Sequence, residues 1–197
     1  NSDPSVAAYG GSERLFGTNP FASGIPSQGK PLVIDFATAA VAEGKLRVAK
    51  ANGQSIPEGY VIDKLGKSST DPNSFYEGGA LLPFGGHKGY CISLLVELLG
   101  GALSGGHPST TKSYLRGNGT VIIAINPAFF GPLEEFLGDI KESGEKIRNT
   151  KPSNEKQPVL LPGDVEYQWE EKNRDGILIS AQIWESIENL AKTSSAF

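Results

Sequence analysis

Pro83-Phe84-Gly85-Gly86-His87-Lys88-Gly89-Tyr90 leads without a break into Cys91-Ile92-Ser93-Leu94-Leu95-Val96-Glu97-Leu98-Leu99-Gly100-Gly101-Ala102-Leu103-Ser104. Residues 90–104 predict a helix that is apolar almost all round, with Glu97 as its single charge. Such a helix belongs inside, between layers or at a subunit interface. The first stretch predicts the turn that launches it. Its glycines let backbone N–H groups face outward at a helix N-terminus, where the dipole favours anions. Acidic side chains ordinarily occupy that end of a helix, yet Lys88 stands there, an unfavourable placement unless an anion lies opposite. A charge-assisted contact of that kind contributes about 1.5–3 kcal/mol. The segment reads as a phosphate or carboxylate site, or as a Gly-rich turn with His87 and Lys88 in solvent.

Working outward, residues 31–36 (Pro-Leu-Val-Ile-Asp-Phe) form a short apolar run behind a Gly/Pro/Ser loop and predict a buried strand. Thr38 to Ala51 predicts a helix: Thr38 caps it, Val41, Lys45 and Val48 recur at i, i+4 and i+7, and Asn52-Gly53 stops it. Residues 53–80 are loop-rich. Thr120 to Ile125 is strongly β-branched and predicts a strand. Pro132 to Arg148 predicts an amphipathic helix with Leu133, Phe136, Leu137, Ile140 and Ile147 on one face and Pro132 in the first turn. Residues 149–157 are polar. Ile177 to Ala181 predicts another strand, and Ile183 to Lys192 a closing helix. Strands and helices intermix without regular βαβ spacing, which implies a layered α/β fold with a mixed sheet.

The 197 residues suit one domain with its own core. A hydrophobic content of 38% against 20% charged residues excludes wholesale disorder. One cysteine excludes an internal disulfide framework and a Cys-cluster zinc site, and two histidines leave little for a His-based metal centre, so no metal is expected. A net charge of −4 argues against a nucleic-acid partner. No apolar run approaches the roughly 20 residues of a membrane span. The chain lacks methionine and starts at Asn1, so residues are expected to be missing upstream. With no charged-then-apolar signal segment, a cytoplasmic setting is expected.

No G-x-G-x-x-G follows a strand, so a Rossmann pyrophosphate turn is unsupported. Gly24 to Pro31 misses the P-loop, because Pro31 stands where magnesium needs Ser or Thr. Asn118-Gly119-Thr120 fits a glycosylation sequon but reads better as a turn. Gly17-Thr18-Asn19-Pro20 sets a hydroxyl and an amide in a turn, which suits a polar ligand or simply starts a turn. Asp35, where strand meets helix, suits ribose hydroxyls or N-capping. Leu161-Pro162-Gly163-Asp164 is a turn that presents backbone groups, to a ligand or to nothing in particular.

Taken in order, Asn1-Ser2-Asp3-Pro4, Tyr9-Gly10-Gly11, Gly17-Thr18-Asn19-Pro20, Val33 to Ala49, Ile56-Pro57-Glu58-Gly59-Tyr60, Thr70-Asp71-Pro72, Gly78 to Tyr90, Ile125-Asn126-Pro127 and Leu161-Pro162-Gly163-Asp164 carry a resemblance. The chain resembles the malate/L-lactate dehydrogenase family, which is unrelated to the Rossmann-fold lactate and malate dehydrogenases. Ureidoglycolate, sulfolactate and 2,3-diketogulonate oxidoreductases and cyclic imino acid reductases are relatives. The resemblance implies a non-Rossmann NAD(P)-binding α/β domain over residues 1–197, a mixed and largely antiparallel sheet flanked by helices, closed by a C-terminal helix. It implies the C-terminal majority of a longer enzyme, and a homodimer.

By the same resemblance, Ser2 lies at a nicotinamide cofactor contact. Asp35, Phe36 and Ala37 match a cofactor-binding tripeptide, His87 and Lys88 match cofactor contacts, and Gly163 and Asp164 match a late cofactor-binding turn. Thr18 matches a substrate contact. Asp3 is expected beside the catalytic histidine, orienting its ring and stabilising its protonated form. The implied reaction moves a hydride between NAD or NADP and a 2-hydroxy or 2-oxo acid, with a general base taking the hydroxyl proton. That histidine lies upstream of Asn1-Ser2-Asp3-Pro4 in the family, and neither His87 nor His107 matches its position. The isolated chain is therefore expected to be inactive. A nucleotide-binding module without redox activity, or an interaction protein using the 90–104 helix, are the alternatives.

Overall fold

Paired strands of two or three residues organise the first of the two compact units into which the chain divides, residues 1–143 and 144–197. The computed structural model describes residues 1–179 and 181–194. In chain order the elements are β1 (Val6–Ala7), β2 (Arg14–Phe16), β3 (Phe21–Ile25), β4 (Leu32–Phe36), α1 (Glu43–Ala51), β5 (Val61–Ile62), β6 (Ser68–Ser69), α2 (Asn73–Tyr76), β7 (Ala80–Leu81), α3 (His87–Glu97), α4 (Leu133–Arg148), α5 (Asp164–Lys172) and α6 (Ala181–Ser194). No described helix is long and apolar enough to cross a membrane.

The main sheet runs β2-β1-β7-β5-β6. Only β1 and β7 pair in parallel, Val6 opposite Leu81, while the other neighbours are antiparallel. This is the mixed, largely antiparallel sheet with flanking helices that the family implies. Side chains alternate across a strand. Val6, Val61 and Leu81 accordingly enter a core with Phe16, Ala39, Val41, Leu46, Ile56 and Phe75, while Ala7, Ile62 and Ala80 meet Leu82 in a smaller cluster. Such alternation, both sets buried, identifies a sheet covered on both faces.

Residues 53–80, loop-rich in sequence, supply β5, β6 and α2 as well as β7. The run 31–36 does form a strand, but not a buried one. β4 pairs only with β3 in a two-stranded ribbon, from Phe21 opposite Phe36 to Ile25 opposite Leu32, and is half-exposed.

Helix α1 starts at Glu43 rather than at Thr38. Residues 38–40 are held elsewhere. The Thr38 hydroxyl donates to the Thr18 and Asn19 carbonyls at 2.9 and 3.0 Å, and Ala40 N–H donates to Leu82 O at 2.7 Å. Thr38 is therefore a clamp on a neighbouring loop and not a helix cap. The predicted stop holds: Asn52 caps α1 and Gly53 takes φ +62°.

The 90–104 helix is α3 continued by a π-helical turn over Leu98–Leu103. Within this chain it is buried on one side and not all round. Gly89, Ser93 and Glu97, spaced four apart, are its buried side, while Leu95, Leu98 and Leu103 lie exposed. Tyr90 and Leu94 pack on the core cluster at the edge of that buried side. The single charge turns inward because hydrogen-bond donors await it there.

Thr120 to Ile125 forms no strand, and Ile122 is 88% exposed. Residues 177–179 likewise stay outside any sheet, residue 180 lies outside the described residues, and Ala181 opens α6. β-branched composition favours a strand only where a neighbour offers a ladder. The amphipathic helix is present as α4, one residue shorter than predicted.

Within the second unit, Leu161 is buried with its Cδ1 3.1 Å from where a side chain on Gly144 would begin. Arg148 clasps Asp164 through Nε at 3.0 Å and Nη2 at 2.7 Å.

Candidate active site

Three loops of the first unit meet beside the sheet. Gly17, directly after β2, is packed so closely that a side chain there would strike the Ser2 hydroxyl and carbonyl. A glycine at that point is what lets the Ser2 segment lie against Thr18. Thr18 and Asn19 are in turn bound by Thr38, as described, and Phe84 N–H donates to the Thr38 carbonyl at 3.0 Å. Ala39 and Pro83 form an antiparallel bridge. The 36–40 stretch thus joins the Thr18 loop on one side to the turn before α3 on the other. Phe36 extends the contact, its ring meeting Phe84 edge-on at 5.5 Å and tilting against Phe21 at 5.8 Å.

The turn Phe84-Gly85-Gly86 opens α3. Gly86, its cap, has φ +63° and ψ −123°, a conformation that β-carbon sterics deny to other residues. The first helical turn contains no acidic side chain. His87 and Lys88 are both exposed there, and the His87 ring stands edge-on to Tyr9 at 5.9 Å. The cation identified from sequence therefore does sit at the positive end of a helix dipole, the arrangement that favours an anion opposite.

Asp3 is exposed and accepts a hydrogen bond from the Tyr114 hydroxyl at 2.7 Å. Desolvation, then the Asp3 carboxylate, push the Tyr114 phenol above its usual range. Alternation along β4 turns Asp35 to the face opposite Phe36. Asp35 is exposed, with Ala22 across the ribbon. The structure thus links the Ser2 and Thr18 segments, through residues 36–40, to the turn that precedes His87 and Lys88, while Asp35 looks away from the Phe36–Phe84 contact.

Gly163 and Asp164 belong to the second unit. Gly163 caps α5 with φ +94°. The Asp164 carboxylate is engaged by Arg148 and also accepts Leu161 N–H at 2.8 Å. Arg148 above all, and then Leu161 N–H, hold its pKa below the ordinary carboxylate range. Its side chain is committed to Arg148 and Leu161.

Sequence reasoning missed the deepest polar group near these loops. Glu97 is fully buried. Its Oε1 accepts from Asn1 Nδ2 at 2.9 Å and from Ser109 N–H, and its Oε2 accepts from Asn19 Nδ2 at 2.7 Å. Asn1 Nδ2 also donates to His107 O at 3.0 Å, and Asn1 Oδ1 accepts Gly119 N–H at 3.0 Å. Asn19 Nδ2 further donates to Ser93 O at 3.0 Å and Ser93 Oγ at 3.2 Å, yet its Oδ1 is buried without a partner. An orphaned acceptor of this kind costs about 1–3 kcal/mol. A lone charge inside an otherwise apolar helix was the signal that could have found it. Tyr114 gave none, since 111 residues separate it from Asp3.

The malate/L-lactate dehydrogenase family model matches residues 1–188. The chain is 37% identical over 198 residues to the malate/(S)-sulfolactate dehydrogenase of Methanothermus fervidus, covering 97% of this chain and 57% of that protein. It is 37% identical over 204 residues to a Δ1-pyrroline-2-carboxylate/Δ1-piperideine-2-carboxylate reductase of Pseudomonas putida, covering 96% and 56%. Among solved structures, the sulfolactate dehydrogenase of Methanocaldococcus jannaschii superposes with a TM-score of 0.84 at 34% identity, over 98% of this chain and 57% of that one. The chain therefore spans little more than half the length of the relatives it matches, and it belongs to the malate/L-lactate dehydrogenase family of oxidoreductases.

Proposed function

We propose that the chain forms the cofactor-binding portion of an NAD- or NADP-dependent oxidoreductase acting on a small 2-hydroxy or 2-oxo acid of the malate, lactate or sulfolactate type. The observation that carries this is the convergence of the Ser2, Thr18 and Phe36–Ala37 segments with the start of α3, through the Thr38 clamp and the Ala39–Pro83 bridge.

The residues present fit a nicotinamide dinucleotide. The start of α3, with its Gly85-Gly86 turn, exposed Lys88 and no acidic side chain, suits a pyrophosphate. Asp35, exposed on the ribbon, offers a carboxylate for sugar hydroxyls. When bound, the dinucleotide supplies or accepts the hydride at its nicotinamide C4. The chain's own residues then bind and orient. Lys88 and the α3 N-terminus hold the phosphates, and Phe36 and Ala37 wall the site. Ser2 contacts the cofactor. Thr18 positions the substrate with its hydroxyl. Asp3, steadied by Tyr114, orients the imidazole that moves the hydroxyl proton. Neither His87 nor His107 matches that imidazole, so residues 1–197 on their own are proposed to be inactive. The exposed Leu95, Leu98 and Leu103 support a homodimer contact along α3.

The test is an assay of the intact enzyme, as its gene encodes it, against a panel of 2-oxo acids and cyclic imino acids with NADH and NADPH. Oxidation of one cofactor with at least one 2-oxo acid is expected. Reduction of cyclic imino acids alone would replace the proposed substrate class. Turnover by residues 1–197 at the intact enzyme's rate would refute their inactivity.

A further inference from the structure

We propose that Glu97 is a positioning residue for the reaction, setting the Ser2–Asp3 segment and Thr18 relative to each other by gripping their neighbours Asn1 and Asn19. The inference rests on the oxidoreductase reading above and adds to it a residue that touches neither substrate nor cofactor. Glu97 is one carboxylate with two arms. Oε1 accepts from Asn1 Nδ2, one residue before Ser2, and Oε2 accepts from Asn19 Nδ2, one residue after Thr18. The carboxylate itself sits on α3, the helix whose other end presents His87 and Lys88. A single rigid element thereby spaces all three parts of the site.

A role in stability alone would not need a charge here. Buried ionic groups are often replaced, together with their partners, by packed apolar side chains without loss, and the rest of α3 is rich in such side chains. The surroundings also carry costs that packing does not repay. Asn19 adopts φ +38°, uncommon for a residue with a side chain, and leaves its buried Oδ1 without a partner. Strain held in place at a fixed loop is a mark of functional sites. The carboxylate is also the group that matches this pocket. All three of its partners, Asn1 Nδ2, Ser109 N–H and Asn19 Nδ2, are donors. A glutamine would set its own N–H against one of them.

The experiment compares E97Q, N1A and N19A in the intact enzyme, with steady-state kinetics for the preferred 2-oxo acid and circular dichroism as the check on folding. A displacement of about 1 Å at a reacting group costs roughly 10²-fold in rate. Folded E97Q is expected to lose kcat on that scale and to raise KM for the oxo acid. The single arms divide the effect: N1A lowers kcat with little change in KM, and N19A raises KM with the smaller change in kcat. Folded E97Q with wild-type kcat and KM overturns the proposal. If E97Q does not fold, the arms decide. A kcat-against-KM split between N1A and N19A upholds it, and wild-type constants in both, or losses that merely follow the folded fraction, overturn it. A wild-type enzyme that oxidises neither NADH nor NADPH with any oxo acid removes the underlying reading, and this inference with it.

Discussion

Two buried regions of the first unit solve the same problem in opposite ways. Around Val6, Val61 and Leu81 the interior is dry, and each residue contributes by leaving water. Around Glu97 the interior is polar, and the carboxylate is tolerated because donors satisfy it. The dry region is interchangeable in kind: an apolar side chain of similar volume serves as well. The polar region is not, since donor must face acceptor. Stability is spread over the first, and the second is where we propose the geometry of the site to be set.

Substitutions can break or sharpen that contrast. The largest effect is expected from Glu97→Leu, which leaves three donors facing a hydrocarbon. Urea denaturation should record a loss of about 3–5 kcal/mol, and an unchanged midpoint would erase the distinction between the two regions. Leu81→Ala in the dry region should cost about 3 kcal/mol by the same measurement. Its surviving folded molecules should keep wild-type kcat and KM. A kinetic change in folded Leu81→Ala would show that the sheet, too, sets site geometry.

In the second unit, Arg148→Met should cost no more than about 1 kcal/mol at neutral pH, because the guanidinium is half-exposed and screened. Arg148 lowers the Asp164 pKa in the folded chain. The pair therefore contributes fully above the ordinary carboxylate pKa and is lost as pH falls through the depressed folded value. The gap between wild type and Arg148→Met should close in acid and stay constant from neutral pH upward. Smallest of all, Ile122→Thr should alter stability by less than about 0.5 kcal/mol, since Ile122 is exposed and unpaired. A larger loss would place that segment in a packed interface.

How legible these regions were follows the range of the interactions that made them. The amphipathic α4 was readable because its periodicity is local, and the α1 stop because Asn52-Gly53 is local. The turn before α3 was readable from its glycines and Lys88. The start of α1 was not, since Thr38 exchanges its capping role for bonds to Thr18 and Asn19, about twenty residues back. The two-residue strands β1, β5 and β7 are too short to show alternation and exist by virtue of their neighbours. Thr120 to Ile125 has the composition and lacks the neighbour. Among the candidate site residues, Thr18, Phe36 and Lys88 were nameable one by one. Glu97 was visible as an odd charge, but its donors come from residues 1, 19 and 109, which no spacing rule connects.

The strand order carries a consequence for synthesis on the ribosome. β7 lies at the centre of the sheet, between β1 and β5, yet it is the last of the five strands to be made. Val6 pairs with Leu81, 75 residues later by subtraction, a delay of roughly 4–15 s at typical elongation rates. Until then β1–β2 and β5–β6 are two separate antiparallel pairs, each marginal alone, with Val6 and Val61 open to water. Nascent chains should thus be most prone to aggregate, and most dependent on chaperones, in the interval before Ala80 leaves the exit tunnel.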